Sequence, residues 1–345
     1  MIKLGILDQT QIGEGRTAAD ALAETTALAQ EAERLGYGRF WMSEHHAGEM
    51  LAHSSPEIMI AHVAAATSRI RVGSGGIMLP HYSAYKVAEN FRLLEALHPG
   101  RIDLGLGRAP GGMPLATRAL QEDKQIDVVT RYPEQVADLA GYLNNRLPAG
   151  HPFASLHVSP SIPTAPDMWL LGSSGESARI AAMQGIAFAF AQFFGVPGGE
   201  ETIEDYRRHF RPSYLNEQPR AMAAVLAICA ETEAEANLLA TSTDLFFLLL
   251  ESGQFLRKFP SVQTALDYNY TEYDLLRINN ARKRRIVGTP EQVKQRLLAL
   301  RDAYQADELL IVSPIYDPAA RVKSYRLIAQ ACGLAAAAEA EAEAK

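Results

Sequence analysis

Short apolar runs alternate with amphipathic stretches along nearly the whole chain, and this rhythm constrains the fold more than any other feature. The strand-like runs are "IKLGIL" (2–7), "RFWM" (39–42), "RIRVGSGGIML" (69–79), "RIDLGLG" (101–107), "MWLLG" (168–172), "IAFAFAQF" (186–193), "RAMAAVLAICA" (220–230) and "ADELLIVS" (306–313). Helical spacing of apolar residues marks 18–36, 55–68, 84–100, 131–145, 175–185, 201–210, 232–250, 289–304 and 317–332. Several of these carry their own signals. Ser55 precedes Pro56 and Glu57, Thr289 precedes Pro290, and Gly36 and Gly185 close their helices. Strands that are apolar throughout belong to a parallel sheet covered by helices on both faces. About eight such units predict an α/β fold, a closed (β/α)8 TIM barrel rather than an open doubly wound sheet.

One domain is expected over 1–333, with βα-loop insertions at about 108–130, 193–220 and 247–286 and a low-complexity tail at 334–345. Insertions of this kind shape substrate access. The last reads as a lid or as a plain helical insertion. At 345 residues and 48% apolar composition, the chain has ample material for a core. A net charge of −7 without a long basic run argues against nucleic acid as a partner. No run approaches the roughly 18 apolar residues of a membrane span, and "MIKLGILDQ" reads as a first strand rather than a signal peptide. A cytoplasmic protein with no membrane partner is expected. Cys229 and Cys332 are far apart in sequence and imply no disulfide framework.

In a barrel, chemistry gathers at the C-terminal ends of the strands. Four unusual turns fall there: "SEHH" (43–46), "GSGG" (73–76), "GRAPGG" (107–112) and "GSSGES" (172–177). "GLGRAPGG" misses the dinucleotide fingerprint at Pro110, and "GSSGES" misses a nucleophile elbow at Glu176, where the last glycine should be. Each glycine turn can simply be tight packing between strand and helix. Taken together they suggest more. Ser173, Ser174 and Ser177 at a helix N-terminus make a phosphate cradle, and Arg108 can supply a positive fork or sit in a surface ion pair. His45 and His46 point opposite ways on an extended segment, and no metal-binding spacing occurs, so metal is disfavoured. Proton transfer needs one imidazole with a neighbour to aim it, and Glu44 or His46 can do so; a strand-end hydrogen bond is the plain alternative. His62 reads as a core or interface residue of its helix.

The blocks "GYGRFWMSEHH", "SSPEIMIAHVAAATSRIRVGSGGIMLPHYSAYKVAENFRLLEALHPGRIDLGLGRAPGG", "LGSSGESARIAAMQG", "RRIVGTPEQVKQRLLAL" and "ADELLIVSPIYDPAARVKSYRLIA" resemble the bacterial luciferase-like flavin monooxygenases. The similarity is to their alkanal-monooxygenase-like oxidoreductases rather than to the deazaflavin-dependent branch. It runs in order through most of 1–333 and is weakest in 113–165 and 193–285. It implies FMN at the barrel mouth, reduced by a separate flavin reductase, and a flavin hydroperoxide that oxygenates a small organic substrate such as an aldehyde. It assigns His45 as the base, Arg108, Ser173, Ser174 and Ser177 to the phosphate, and the Ser74-Gly75-Gly76 turn, where a cis peptide often occurs, to the flavin ring. Glu44 and His46 become supports of the base. The light-emitting subunit has a cysteine where this chain has Gly107, which implies a non-luminous enzyme. A homodimer through barrel helices is expected, with "IAHVAAATS" permitting close packing. Arg282 to Arg285 reads as a solvated face, a reductase-docking surface or a second phosphate contact. The competing functions are a flavin-binding protein without turnover and a metal-dependent hydrolase.

Overall fold

A computed structural model describes residues 2–123 and 127–334. Its strands are β1 (Leu4–Asp8), β2 (Arg39–Met42), β3 (Arg71–Ser74), β4 (Ile77–Met78), β5 (Ile102–Gly107), β6 (Asp167–Gly172), β7 (Ala187–Ala191), β8 (Ala221–Cys229), β9 (Ile286–Gly288) and β10 (Glu308–Val312). Eight of them close in the order β1-β2-β3-β5-β6-β7-β8-β10, and β10 returns to β1; every pairing is parallel. The expected (β/α)8 TIM barrel is therefore the fold. β4 continues beside β5, and β9 joins the far half of β8 at Ala227–Cys229.

The barrel explains why the strands are apolar throughout. Successive side chains of a strand point to opposite faces. Phe40, Met42, Val72, Leu104 and Ile311 pack outward under the helices, in a core shared with Leu28, Val63, Phe91, Val136 and Ile328. Leu7, Trp41, Trp169, Met222, Leu310 and Val312 fill the interior instead. The Trp41 and Trp169 rings meet there edge to face at 5.9 Å. Each such burial is worth about 1.5–3 kcal/mol. The strand-start end is closed by charge. Arg39 bridges Asp103 at 2.7 Å and Glu308 at 2.8 Å, and Arg71 reaches Asp103 at 2.6 Å. These buried pairs plug one end and leave the opposite end for the loops.

The stretch 69–79 is not one strand. After Ser74 the Gly75–Gly76 peptide is cis, and the chain resumes as β4. Ser74 Oγ donates to the Gly105 carbonyl at 2.9 Å and accepts from the Gly105 amide at 3.0 Å, drawing β3 and β5 together. That approach leaves no room for a side chain: a Cβ on Gly76 would lie 2.6 Å from the Gly105 oxygen, and one on Gly105 would overlap the Ser74 carbonyl.

The insertions are helical. The 108–130 stretch contains a helix at Pro114–Leu120, and the next helix, Val128–Asn144, begins earlier than its apolar spacing suggests because Asp127 caps the Thr130 amide at 3.2 Å. The 247–286 stretch continues the helix Glu233–Glu251 into helices Val262–Asp267 and Glu272–Arg282. Its basic end is tied inward. Arg285 pairs with buried Asp244 at 2.7 Å, and Arg282 grips the same carboxylate. Ser55 caps nothing with its side chain, and His62 is exposed. Residues 335–345 of the tail lie outside the described residues. Among the described residues no helix is long and apolar enough to cross a membrane.

Candidate active site

At the C-terminal mouth lies a cavity of about 510 Å³. That is the size of a small-molecule site. Its walls come from loops far apart in sequence. Met50 and Leu51 follow β2, Phe193 and Phe194 follow β7, and Phe246, Phe247 and Leu250 belong to the Glu233–Glu251 helix. Phe255, Leu256 and Arg257 from the last insertion complete the rim. Gln9, Gln11, His45 and His46 supply the polar floor and side.

The β1–β2 register places His45 there. Asp8 pairs with Met42, so Gln9 stands beside Ser43. Ser43 Oγ donates to Gln9 Oε1 at 2.8 Å, and His45 Nε2 meets the same oxygen at 3.1 Å. Gln9, which sequence reading did not single out, is thus the neighbour that aims His45. Burial holds the His45 imidazole below its ordinary value, the Gly111 carbonyl partly offsets this, and His46 and His53 add to the lowering. A ring kept neutral near pH 7 is available to take a proton.

Glu44 does a different job from the one expected of it. Fully buried, it takes His46 Nε2 at 2.7 Å, the Tyr82 hydroxyl at 2.8 Å and the Met78 amide at 3.0 Å. It therefore ties the histidine segment to β4, across the turn containing Gly75 and Gly76. The second half of "GRAPGG" packs on the same segment. His46 N donates to the Gly111 carbonyl at 2.8 Å, and His81 Nε2 lies 2.7 Å from the Pro110 carbonyl. Gly111 has φ +62°, and a Cβ on Gly112 would lie 2.7 Å from the His46 carbonyl. Those glycines serve packing. Ser74 likewise spends its hydroxyl on Gly105 and is fully buried, the Gly75 amide donates to the Met42 carbonyl at 2.8 Å, and none of Ser74, Gly75 and Gly76 is among the residues lining the cavity.

The phosphate candidates gather on the neighbouring rim, apart from the cavity lining. Leu106 pairs with Leu170, which carries Arg108 to the level of Gly172 and the serines beyond it. Among the described residues Arg108 has no ion pair or hydrogen bond; the nearby Glu176 is instead bound to Arg179 at 3.0 Å. The hydroxyls of Ser173, Ser174 and Ser177 are also without protein partners, and Ser174 heads the ten-residue helix Gly175–Gln184 without capping it. A guanidinium, three hydroxyls and a helix N-terminus all unanswered at one place fit an anion. The flavin mononucleotide phosphate suits that donor set. Among the described residues no group of three His, Cys, Asp or Glu side chains is placed to hold a metal ion.

A closed barrel with a histidine at an aromatic-walled mouth and an anion-ready rim has the form of a barrel enzyme. The family comparison sharpens that class: the model of the luciferase-like monooxygenases matches residues 2–306, and the chain belongs to that family. It is 52% identical over 331 residues to the uncharacterized protein YwcH of Bacillus subtilis (strain 168), covering 96% of this chain and 99% of that one. It is 41% identical over 337 residues to the N-acetyl-S-alkylcysteine monooxygenase of the same organism, covering 96% and 98%. Among solved structures, apo-MsnO8 superposes with a TM-score of 0.87 at 38% identity, covering 97% of this chain and 99% of that one. Two others share the fold alone. The oxygenating constituent of the Pseudomonas putida 3,6-diketocamphane monooxygenase, in complex with FMN, has a TM-score of 0.69 at 20% identity, covering 96% and 98%. An F420-dependent secondary alcohol dehydrogenase has 0.69 at 12%, covering 96% and 98%.

Proposed function

We propose that this protein is a flavin-dependent monooxygenase that takes reduced FMN from a separate flavin reductase and oxygenates a small, largely apolar organic substrate. The observation that carries this reading is the unpaired Arg108 facing the unpaired serine hydroxyls at the head of the Gly175–Gln184 helix. Arg108, Ser173, Ser174 and Ser177 would hold the phosphate, and the Ser74-Gly75-Gly76 turn would be the segment on the ring-system side. Bound reduced flavin supplies the activation of O2. The chain's own part is to bind, orient and keep water out, through Phe193, Phe246, Phe247 and Phe255 around the substrate. His45 moves the proton at the mouth, aimed by Gln9, while Glu44 and His46 position the segment that carries it.

A flavin carrier without turnover has no use for a neutral imidazole in the substrate cavity, so His45 favours turnover. Gly107 lies against Met78, whose Sδ is 2.7 Å from where a Cβ would be, and the reactive cysteine of light emission has no counterpart there. The relative named for N-acetyl-S-alkylcysteine suggests thioethers beside aldehydes as the first substrates to try. We further propose a homodimer, since Ile58, Leu93 and Leu97 are exposed on the helices following β2 and β4. Titration with reduced FMN, oxidised FMN and F420, followed by oxygen uptake with an aldehyde and thioether panel, tests the function. Tight FMN binding with substrate-coupled uptake is expected. Preference for F420, or no flavin binding at tens of micromolar, refutes the reading.

A further inference from the structure

Thr10 is the one β-branched residue, among the described residues, whose backbone is left-handed, with φ +49°. That conformation crowds the Cβ of any L-residue and is rarest for β-branched ones. Thr10 is also buried, so the strain lies inside the protein. Its place is particular. Gln9 before it and Gln11 after it both line the cavity, and Gln9 Oε1 meets Ser43 Oγ at 2.8 Å and His45 Nε2 at 3.1 Å. β1 is held in register as far as Asp8, which pairs with Met42. The chain then turns at Thr10, whose carbonyl accepts the Ala52 amide at 3.1 Å, and the Ile12 amide reaches the Met50 carbonyl at 2.7 Å. The turn leaves Gln9 at the strand end, beside the histidine segment.

The Thr10 hydroxyl balances the strain. Thr25, on the helix Ala18–Arg34, donates its hydroxyl to Asp8 Oδ2 at 2.6 Å and lies 3.2 Å from Thr10 Oγ1. Thr10 Oγ1 donates to the same Asp8 oxygen at 3.4 Å. With that proton spent, His53 Nε2, 3.1 Å away, is the donor to the Thr10 oxygen. His53 makes no other side-chain hydrogen bond, since its Nδ1 is buried without a partner. Asp8 is gripped from its other side by Arg321 of the helix Pro318–Cys332. One hydroxyl thus ties the turn to β1, to the first helix and to the loop after β2. Strained residues persist where their surroundings over-determine them.

We infer that Thr10 is a positioning residue for the base: its hydroxyl, anchored to Asp8, Thr25 and His53, holds a strained turn that keeps the Gln9 carboxamide on His45. The inference rests on the reading of His45 as the group that moves the proton. A left-handed β-branched residue costs about what such hydrogen bonds return, so losing the hydroxyl lets the turn relax. Gln9 then leaves the ring, and His45 loses the neighbour that fixes which nitrogen carries its proton.

The test replaces Thr10 by Ser, Val and Gly. In flavin-free protein carrying 15N-labelled histidine, the His45 ring signals are those lost in His45→Asn. Thr10→Ser should leave them in place, and Thr10→Val should shift them while the His209 signals stay. With reduced FMN, O2 and decanal, or the best thioether of the panel, kcat should fall about tenfold in Thr10→Val, the size of one lost hydrogen bond. KM and the FMN dissociation constant should stay within about twofold, and Thr10→Ser should restore kcat to within about threefold. Thr10→Gly separates strain from shape. Glycine adopts a left-handed backbone freely, so it should keep more of kcat than valine although it fills less space. In the Gln9→Ala background Thr10→Val should cost little more. Valine performing as well as glycine, unmoved His45 signals in Thr10→Val, or fully additive losses with Gln9→Ala overturns the inference. If Thr10→Val does not fold, Thr10→Ala takes its place, with the same expected order below glycine. If wild type binds no flavin, the functional reading falls, and the His45 signals still decide whether Thr10 sets Gln9 on the ring.

Discussion

Glu44 offers a sharp quantitative test of the site's architecture. Its carboxyl group is the common acceptor for His46 Nε2, the Tyr82 hydroxyl and the Met78 amide, all within 3.0 Å. Glu44→Ala removes the acceptor of all three bonds from a fully buried position. Water entering the gap can serve Tyr82 and His46, which are partly exposed, but the Met78 amide sits at the buried start of the turn into the short helix Leu79–His81. Breaking a buried network of this kind costs about 3–5 kcal/mol. For 345 residues the unfolding entropy near the melting point is about 0.7 kcal/mol/K, so the melting temperature should drop by about 4–7 °C. Glu44→Gln keeps one acceptor oxygen but turns an amide N–H toward one of the three donors, costing about 1–3 kcal/mol and about 1–4 °C. Scanning calorimetry measures both. The pH dependence of turnover supplies the second readout: because Gln9, not Glu44, touches the His45 ring, the Gln variant should keep the wild-type acid limb. An Ala variant that melts within 1 °C of wild type would refute the network. A shifted acid limb in the Gln variant would show that Glu44 acts on the base directly.

Other perturbations read other parts of the fold. His45→Asn should abolish substrate-coupled oxygen uptake while leaving the FMN dissociation constant within about twofold, as steady-state kinetics and titration can show. The native His45 and His53 rings are both held below their ordinary value by burial, so the unfolded chain takes up protons that the native state refuses as pH falls below about 6.5. Stability should therefore decline on that acid side, by at most about 1.4 kcal/mol per pH unit per ring, and less steeply in His45→Asn/His53→Asn; parallel melting curves from pH 7.5 to 5 would contradict this. Asp244→Ala strands the buried Arg285 guanidinium and should cost about 3–5 kcal/mol, with faster proteolysis between residues 252 and 286 as the readout. Gly105→Ala would drive a methyl into the Ser74 carbonyl and should yield little folded protein, whereas Gly175→Ala meets open space and should fold.

The difference between what was and was not readable in this chain follows from the range of the interactions involved. Strands and helices announce themselves because burial acts on periodic neighbours, and a barrel buries both faces of every strand. β8 is a clear case, apolar and buried at all nine positions. Loop glycines announce themselves too, but with their reasons hidden: "GRAPGG" looked like one motif and is two, since Arg108 faces the serine rim while Gly111 and Gly112 pack on His46. The partner of His45 was invisible for a similar reason. Gln9 lies 36 positions earlier, and only the Asp8–Met42 register between two strands brings its amide to the ring. Arg282 and Arg285 looked like a surface because charge in sequence carries no mark of depth, yet Asp244 draws them to a buried carboxylate. Sequence carries pattern, whereas the site consists of pairings left open once every other polar group has found its match.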